Sequence, residues 1–251
     1  MFLASRPGIR SSSRRMLIDV ALNPAEIALL PQRDLSATTC IVFDILRATS
    51  SMITGLAHGV AAIHPVRTIE EALALKTTLP HAVLGGERHG ELIPGFDLGN
   101  APHEYTALAG RTVISTTTNG TLALRACDAA DRVLVGALLN LAALTAELRA
   151  TAPRHVLLVC AGTFAAFALE DAYAAGALLA RLPEAALTDA AHAARAVTAS
   201  FPDALAALRA ARNGLVLAEK GRGAEVEWCA RESVFNVLAE MQGGIVRPLL
   251  R

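Results

Sequence analysis

Short apolar runs rich in β-branched residues recur along the chain, spaced widely enough to leave a helix between them. They read "MLIDVA", "TTCIVFDI", "AAIHPV", "HAVLGG", "RTVIST", "DRVLVGA" and "RHVLLVCA". Between most of them lie Ala/Leu-rich segments with helical spacing, at 51–58, 69–78, 121–129 and 141–150. Asn23-Pro24, and Thr68 followed by "IEEA", carry the N-cap and first-turn acids of helix starts. Apolar strands alternating with helices predict a three-layer α/β/α fold with a largely parallel or mixed sheet covered on both faces. Residues 170–212 read as almost continuous Ala-rich helix broken near Pro183 and Pro202, which predicts helices packed together in the C-terminal third. No long Gly/Pro/Ser linker and no repeat interrupts the pattern, so residues 16–251 are expected to form a single domain. The stretch 1–15, "MFLASRPGIRSSSRR", has no acid and no apolar face. It is expected to be a disordered tail or an over-extended start ahead of Met16.

Charge narrows the partners. Lys plus Arg number 23 and Asp plus Glu number 23, so there is no basic footprint for nucleic acid and no polybasic membrane face. Aromatic residues are 4 %, too few for base-stacking platforms. A small solute is the expected partner, with self-association left open. Cys40, Cys127, Cys160 and Cys229 form no CxxC pair, which predicts reduced thiols in a cytoplasmic protein. The apolar run 156–169 is shorter than the ~18–20 residues that span a bilayer.

In open α/β sheets ligands bind beyond the carboxyl ends of strands, and the unusual stretches fall there. In "FDILRATSS" (43–51), Asp44 ends a strand and Arg47, Thr49 and Ser50 precede or open a helix, a ready anion site or an ordinary cap. "STTTNGT" (115–121) puts Thr116, Thr117, Thr118, Asn119, Gly120 and Thr121 at another strand end. These donors suit phosphate oxygens better than the needs of a cap alone. The irregular stretch 85–102 holds Glu87, Arg88, Glu91, Asp97 and Asn100, and its carboxylates suit Mg²⁺. Glu170-Asp171 opens a later helix, where an acidic pair also complements the helix dipole.

Three phosphatase signatures fail on spacing. Two residues after Asp44 stands Leu46, where a second Asp is needed, and six residues rather than five separate Cys40 from Arg47. "RHGE" (88–91) matches the start of histidine phosphatases but follows four strands instead of one.

Taken in order, "VFDILRATSSMITGLAHGV", "GGERHGELIPGFDLGNAPHEY", "TTTNGT" and "CAG…ALEDAYAAG" resemble the 2-phosphosulfolactate phosphatase (ComB) family over nearly the whole chain from Leu17 to Trp228. The resemblance implies an α/β, Mg²⁺-dependent phosphatase. That family is associated with coenzyme M synthesis but is widespread in bacteria that lack the cofactor, so reaction type is implied more firmly than substrate. Two departures stand out: Glu225 in "AEVEWC" replaces the usual Asp, and the position of His89 is variable in the family.

The resulting expectation is hydrolysis of a phosphomonoester on a small anionic 2-hydroxy acid, most simply 2-phosphosulfolactate. Mg²⁺ would be held among Asp44, Glu87, Asp97, Glu170 and Asp171, with Arg47 and Arg88 pairing the anion and the turn 116–121 adding donors. Asp44 is expected to act as metal ligand or nucleophile. The alternatives are a histidine-phosphatase-like reaction through Arg88-His89 and a non-catalytic anion-binding protein.

Overall fold

The structure, a computed structural model, describes residues 15–249. The expectation for the N-terminal tail therefore lies, apart from Arg15, outside the described residues. In chain order the strands are β1 (Leu17–Ala21), β2 (Thr38–Phe43), β3 (Ala62–Pro65), β4 (Val83–Arg88), β5 (Glu91–Leu92), β6 (Thr112–Thr116), β7 (Arg132–Gly136), β8 (His155–Cys160), β9 (Ala186–Leu187), β10 (Ala239–Gln242) and β11 (Ile245–Pro248). The helices are α1 (Pro24–Ile27), α2 (Ala48–Ala57), α3 (Ile69–Thr78), α4 (Gly120–Ala126), α5 (Leu141–Thr151), α6 (Leu169–Ala180), α7 (Asp189–Ala199), α8 (Ala204–Ala210), α9 (Arg212–Glu219) and α10 (Gly223–Cys229).

All seven apolar runs are strands. In β2 five consecutive residues are buried, as are five in β8 and four each in β6 and β7. Neighbouring side chains on a strand point to opposite faces, so helices must cover both sides of the sheet, and the α/β layering is as expected. The Ala-rich C-terminal third breaks into α6, α7 and α8 close to Pro183 and Pro202.

The strands form one sheet in the order β5-β4-β6-β3-β11-β10-β7-β2-β8-β1-β9. Pairing is parallel within β4-β6-β3 and within β7-β2-β8-β1-β9. Between these groups lies the antiparallel hairpin β10-β11, whose turn Gly243-Gly244 has positive φ at both residues, a conformation that costs glycine little. Arg132 on β7 fixes the hairpin by donating to Glu240 on β10 at 2.7 Å while also reaching Glu147 on α5 at 2.7 Å.

Three antiparallel steps separate β3 from β7, so the two parallel groups run in opposite directions. On a flat sheet their carboxyl ends would lie on opposite edges, and β6 would stand five strand spacings, about 24 Å, from β2. Yet Gly120, just beyond β6, packs directly on Asp44 beyond β2. The sheet must therefore coil strongly, in keeping with a twist of about 20–25° per strand, and it brings the ends of both groups together at one place.

Candidate active site

Asp44 follows the buried strand β2 and remains buried itself. Its Oδ1 accepts from the Ala48 N–H at 3.1 Å, and its own N–H donates to Thr49 Oγ1 at 3.0 Å. Burial pushes its carboxyl up to about 7; the Ala48 N–H opposes this, and the negative neighbours Glu87 and Glu170 add to it more than Arg47 relieves. Gly120 has to be glycine here, because a Cβ would stand 2.5 Å from Asp44 Oδ2.

The loop between β2 and α2, whose Leu46–Arg47 peptide is cis, turns the Arg47 side chain into the same cleft. Its guanidinium is buried, pairs with Glu225 on α10 and donates to the Gly90 carbonyl at 3.2 Å. Glu225, from "AEVEWC", is thus the carboxylate that holds Arg47. Glu87, at the end of β4, accepts from Thr118 N at 2.7 Å and from Gly90 N at 2.7 Å, tying two loops together at the cleft wall.

The hydroxyl-rich turn divides its labour. Thr117 and Thr121 cap one another across the start of α4: Thr121 N donates to Thr117 Oγ1 and Thr117 N to Thr121 Oγ1, each at 3.1 Å. Thr116 Oγ1 accepts from Arg88 at 2.9 Å. Asn119 bonds the loop after β8, donating to the Ala161 and Phe164 carbonyls and accepting from Phe164 N. Two hydroxyls of the stretch, those of Ser115 and Thr118, are buried with no hydrogen-bond partner among the described residues, and of the two only Thr118 lines the cleft.

That cleft has a volume of about 150 Å³ and is walled by Asp44, Arg47, Glu87, His89, Thr118, Asn119, Phe164, Arg212, Asn213 and Lys220, among others. It falls well below the ~300–1,000 Å³ of drug-sized pockets, which suits a small solute. Several expected site residues stand elsewhere. Thr49 and Ser50 are fully buried and spend their hydroxyls on the carbonyls of Asp44 and Ile45, because the tight β2-α2 turn needs those acceptors satisfied. Arg88 turns away to the Glu87 carbonyl and Thr116. Asp97 is exposed and accepts from Leu84 N at 2.8 Å, away from the cleft. Asp171 is buried, and both its oxygens are taken by backbone N–H groups, of Ile45 at 2.8 Å and Gly162 at 3.0 Å, so it clamps two loops. Burial holds its pKa well above the ordinary carboxylate range, as Glu170 and Asp44 do in turn. Glu170, likewise raised mainly by burial, sits behind Asn213, which donates to it at 2.7 Å.

The sequence reading missed α9, which supplies Arg212, Asn213 and, just beyond its end, Lys220. Its polar "RN" inside an Ala/Leu helix was the available signal. The rival built on "RHGE" loses its geometry: His89 lines the cleft, stacked on Phe164 with centroids 5.5 Å apart, but Arg88 does not join it.

A hard cation fits this donor set in a limited way. Among the described residues no three acidic, His or Cys side chains stand close enough to ligate one ion together. Mg²⁺ needs only one or two carboxylates beside water and phosphate oxygens. Buried Asp44, raised by two like charges, is the kind of group such an ion would relieve.

Converging strand ends, buried carboxylates, a fixed guanidinium and a small cleft define an α/β protein with one small charged site. Comparison makes the class particular: the family model described as 2-phosphosulpholactate phosphatase matches residues 26–244, and the chain belongs to that family of phosphoric monoester hydrolases. It is 40 % identical over 210 residues to a probable 2-phosphosulfolactate phosphatase of Deinococcus radiodurans, covering 81 % of this chain and 88 % of that one. It is 34 % identical over 223 residues to a protein of the same description from Thermotoga maritima, covering 88 % and 96 %. A third, from Carboxydothermus hydrogenoformans, is 36 % identical over 228 residues, covering 90 % and 93 %.

Proposed function

We propose that the protein hydrolyses the phosphomonoester of a small anionic 2-hydroxy acid in the cytoplasm, with Mg²⁺, and that 2-phosphosulfolactate, the substrate in its relatives' names, is converted to sulfolactate and phosphate. The observation that carries this reading is a buried Asp44 facing a fixed Arg47 and the unpartnered Thr118 hydroxyl in one small cleft.

Asp44, with Glu87 or Glu170, would hold the ion, and bound Mg²⁺ supplies charge neutralisation on the phosphoryl oxygens. Arg47, oriented by Glu225 and the Gly90 carbonyl, keeps further N–H donors for a phosphoryl oxygen, where the planar guanidinium serves better than an ammonium. The Thr118 hydroxyl donates to another, and a donor set in place before reaction stabilises developing charge without reorganising. The His89 and Phe164 rings, 5.5 Å apart, form part of the cleft wall. Water adds to phosphorus, the bond from phosphorus to the 2-oxygen breaks, and that oxygen takes up a proton.

Phosphate release from 2-phosphosulfolactate tests the reading. It should vanish in EDTA, return with MgCl₂, and fall at least about 10³-fold in Asp44→Asn, whose shape is unchanged. Full activity in EDTA would sink the metal dependence, and no release in MgCl₂ would sink the phosphatase reading.

A further inference from the structure

Resting on that reading, we infer that Arg212, at the start of α9, is a specificity-determining residue that binds the acid group at the far end of the substrate, a sulfonate or carboxylate, and not the phosphate.

The cleft's cations are not equivalent. Arg47 is already paired with Glu225. Lys220 pairs with Glu91 on β5, which Arg222, outside the cleft lining, also engages. Arg212 lines the cleft, and among the described residues no carboxylate pairs with it. Its one recorded partner is the Phe164 ring, with the guanidinium 5.7 Å from the centroid, a cation–π contact that orients the group without neutralising it. Phe164 is itself fixed by two backbone bonds to Asn119, each 2.9 Å. The next residue, Asn213, ties α9 to the same loop by donating to Thr163 Oγ1 and to Glu170, each at 2.7 Å. The guanidinium thus rests on an aromatic ring at the cleft with its donors uncommitted.

The same cleft is also lined by the acids Asp44 and Glu87. With a cation bound there they suit the phosphate, while an unscreened second anion would be repelled by them. A 2-phospho acid bearing another charged group needs a positive site a few atoms away, and Arg212 is the guanidinium in this cleft with no anion yet assigned.

Binding to the full-length chain separates the possibilities, using sulfolactate and inorganic phosphate as probes in calorimetry with MgCl₂ present. Arg212→Gln should weaken sulfolactate about 10- to 100-fold, the loss expected for charge-assisted hydrogen bonds, while phosphate affinity stays within about threefold. Because Arg212 is exposed, the melting temperature should not move. Equal losses for both probes, no loss for either, or a wild type blind to sulfolactate would each overturn the inference. Wild-type phosphate release is a separate readout: if it is absent, the phosphatase reading fails while a selective loss of sulfolactate affinity still identifies Arg212 as an acid-binding residue.

Discussion

Thr117 and Thr118 are adjacent, identical and opposite in role. The Thr117 hydroxyl belongs to a mutual cap with Thr121, whereas the Thr118 hydroxyl is buried without a protein partner beside the cleft. Thr117→Val should therefore lower stability by about 1–2 kcal/mol, the usual worth of a lost cap, and leave turnover per folded molecule nearly intact. Thr118→Val should melt with the wild type and lose about 10²-fold in kcat, as when one preorganised donor is removed. Thermal melts with initial rates decide it, and a reversed pattern refutes the assignment. Asp44 allows a second test at this scale. Its folded pKa of about 7 lies above the ordinary value of 3.8, so its contribution to stability is fully present below about pH 4 and is lost as pH rises through about 7. In EDTA, Asp44→Asn should melt above the wild type at pH 8, by an amount of order 4 kcal/mol at most. The gap should close toward pH 4. A wild type at least as stable as the variant at pH 8 would contradict it.

Elements were the most legible part of the sequence, because strands and helices announce themselves locally. Helix α3 was expected at 69–78 and stands at Ile69–Thr78; α5 was expected at 141–150 and runs Leu141–Thr151. The hairpin β10-β11 gave no such signal. Its strands "AEMQ" and "IVRP" carry Glu240, Gln242 and Arg247, and their burial comes from neighbours distant in sequence. Its best clue was Gly243-Gly244, a hairpin turn pair. Arg132 shows how tightly that hairpin is bound, since its guanidinium serves Glu147 and Glu240 together. Arg132→Met should destabilise by about 3–5 kcal/mol in urea unfolding, because buried carboxylates lose their counter-charge. Replacing Glu147 and Glu240 with Leu in the same chain should recover much of the loss. An Arg132→Met protein as stable as the parent would show the network to be idle.

At the scale of the whole molecule the site was only half legible. Asp44, Arg47, Glu87, Thr118 and Asn119 announced themselves as polar residues at strand ends, and they do meet. Arg212, Asn213 and Lys220 did not, because the polar "RN" of α9 marks a helix face without saying that tertiary packing carries it to the cleft. Nor could spacing alone tell Asp171, which clamps two loops, from Glu87, which both ties loops and faces the cleft. The role of a carboxylate depends on which N–H groups its oxygens find, and that is settled only by the fold.

The hairpin between the two parallel groups has a consequence in time as well as in space. Residues 239–248 follow all nine other strands in the chain, yet they join β3 to β7 at the centre of the sheet. During synthesis the half carrying Asp44 and the half carrying Glu87 and Thr118 both emerge before the strands that bridge them. Long-range pairings of this kind are the slow step of assembly. The strands that join the two halves of the site are thus the last of the sheet to be made.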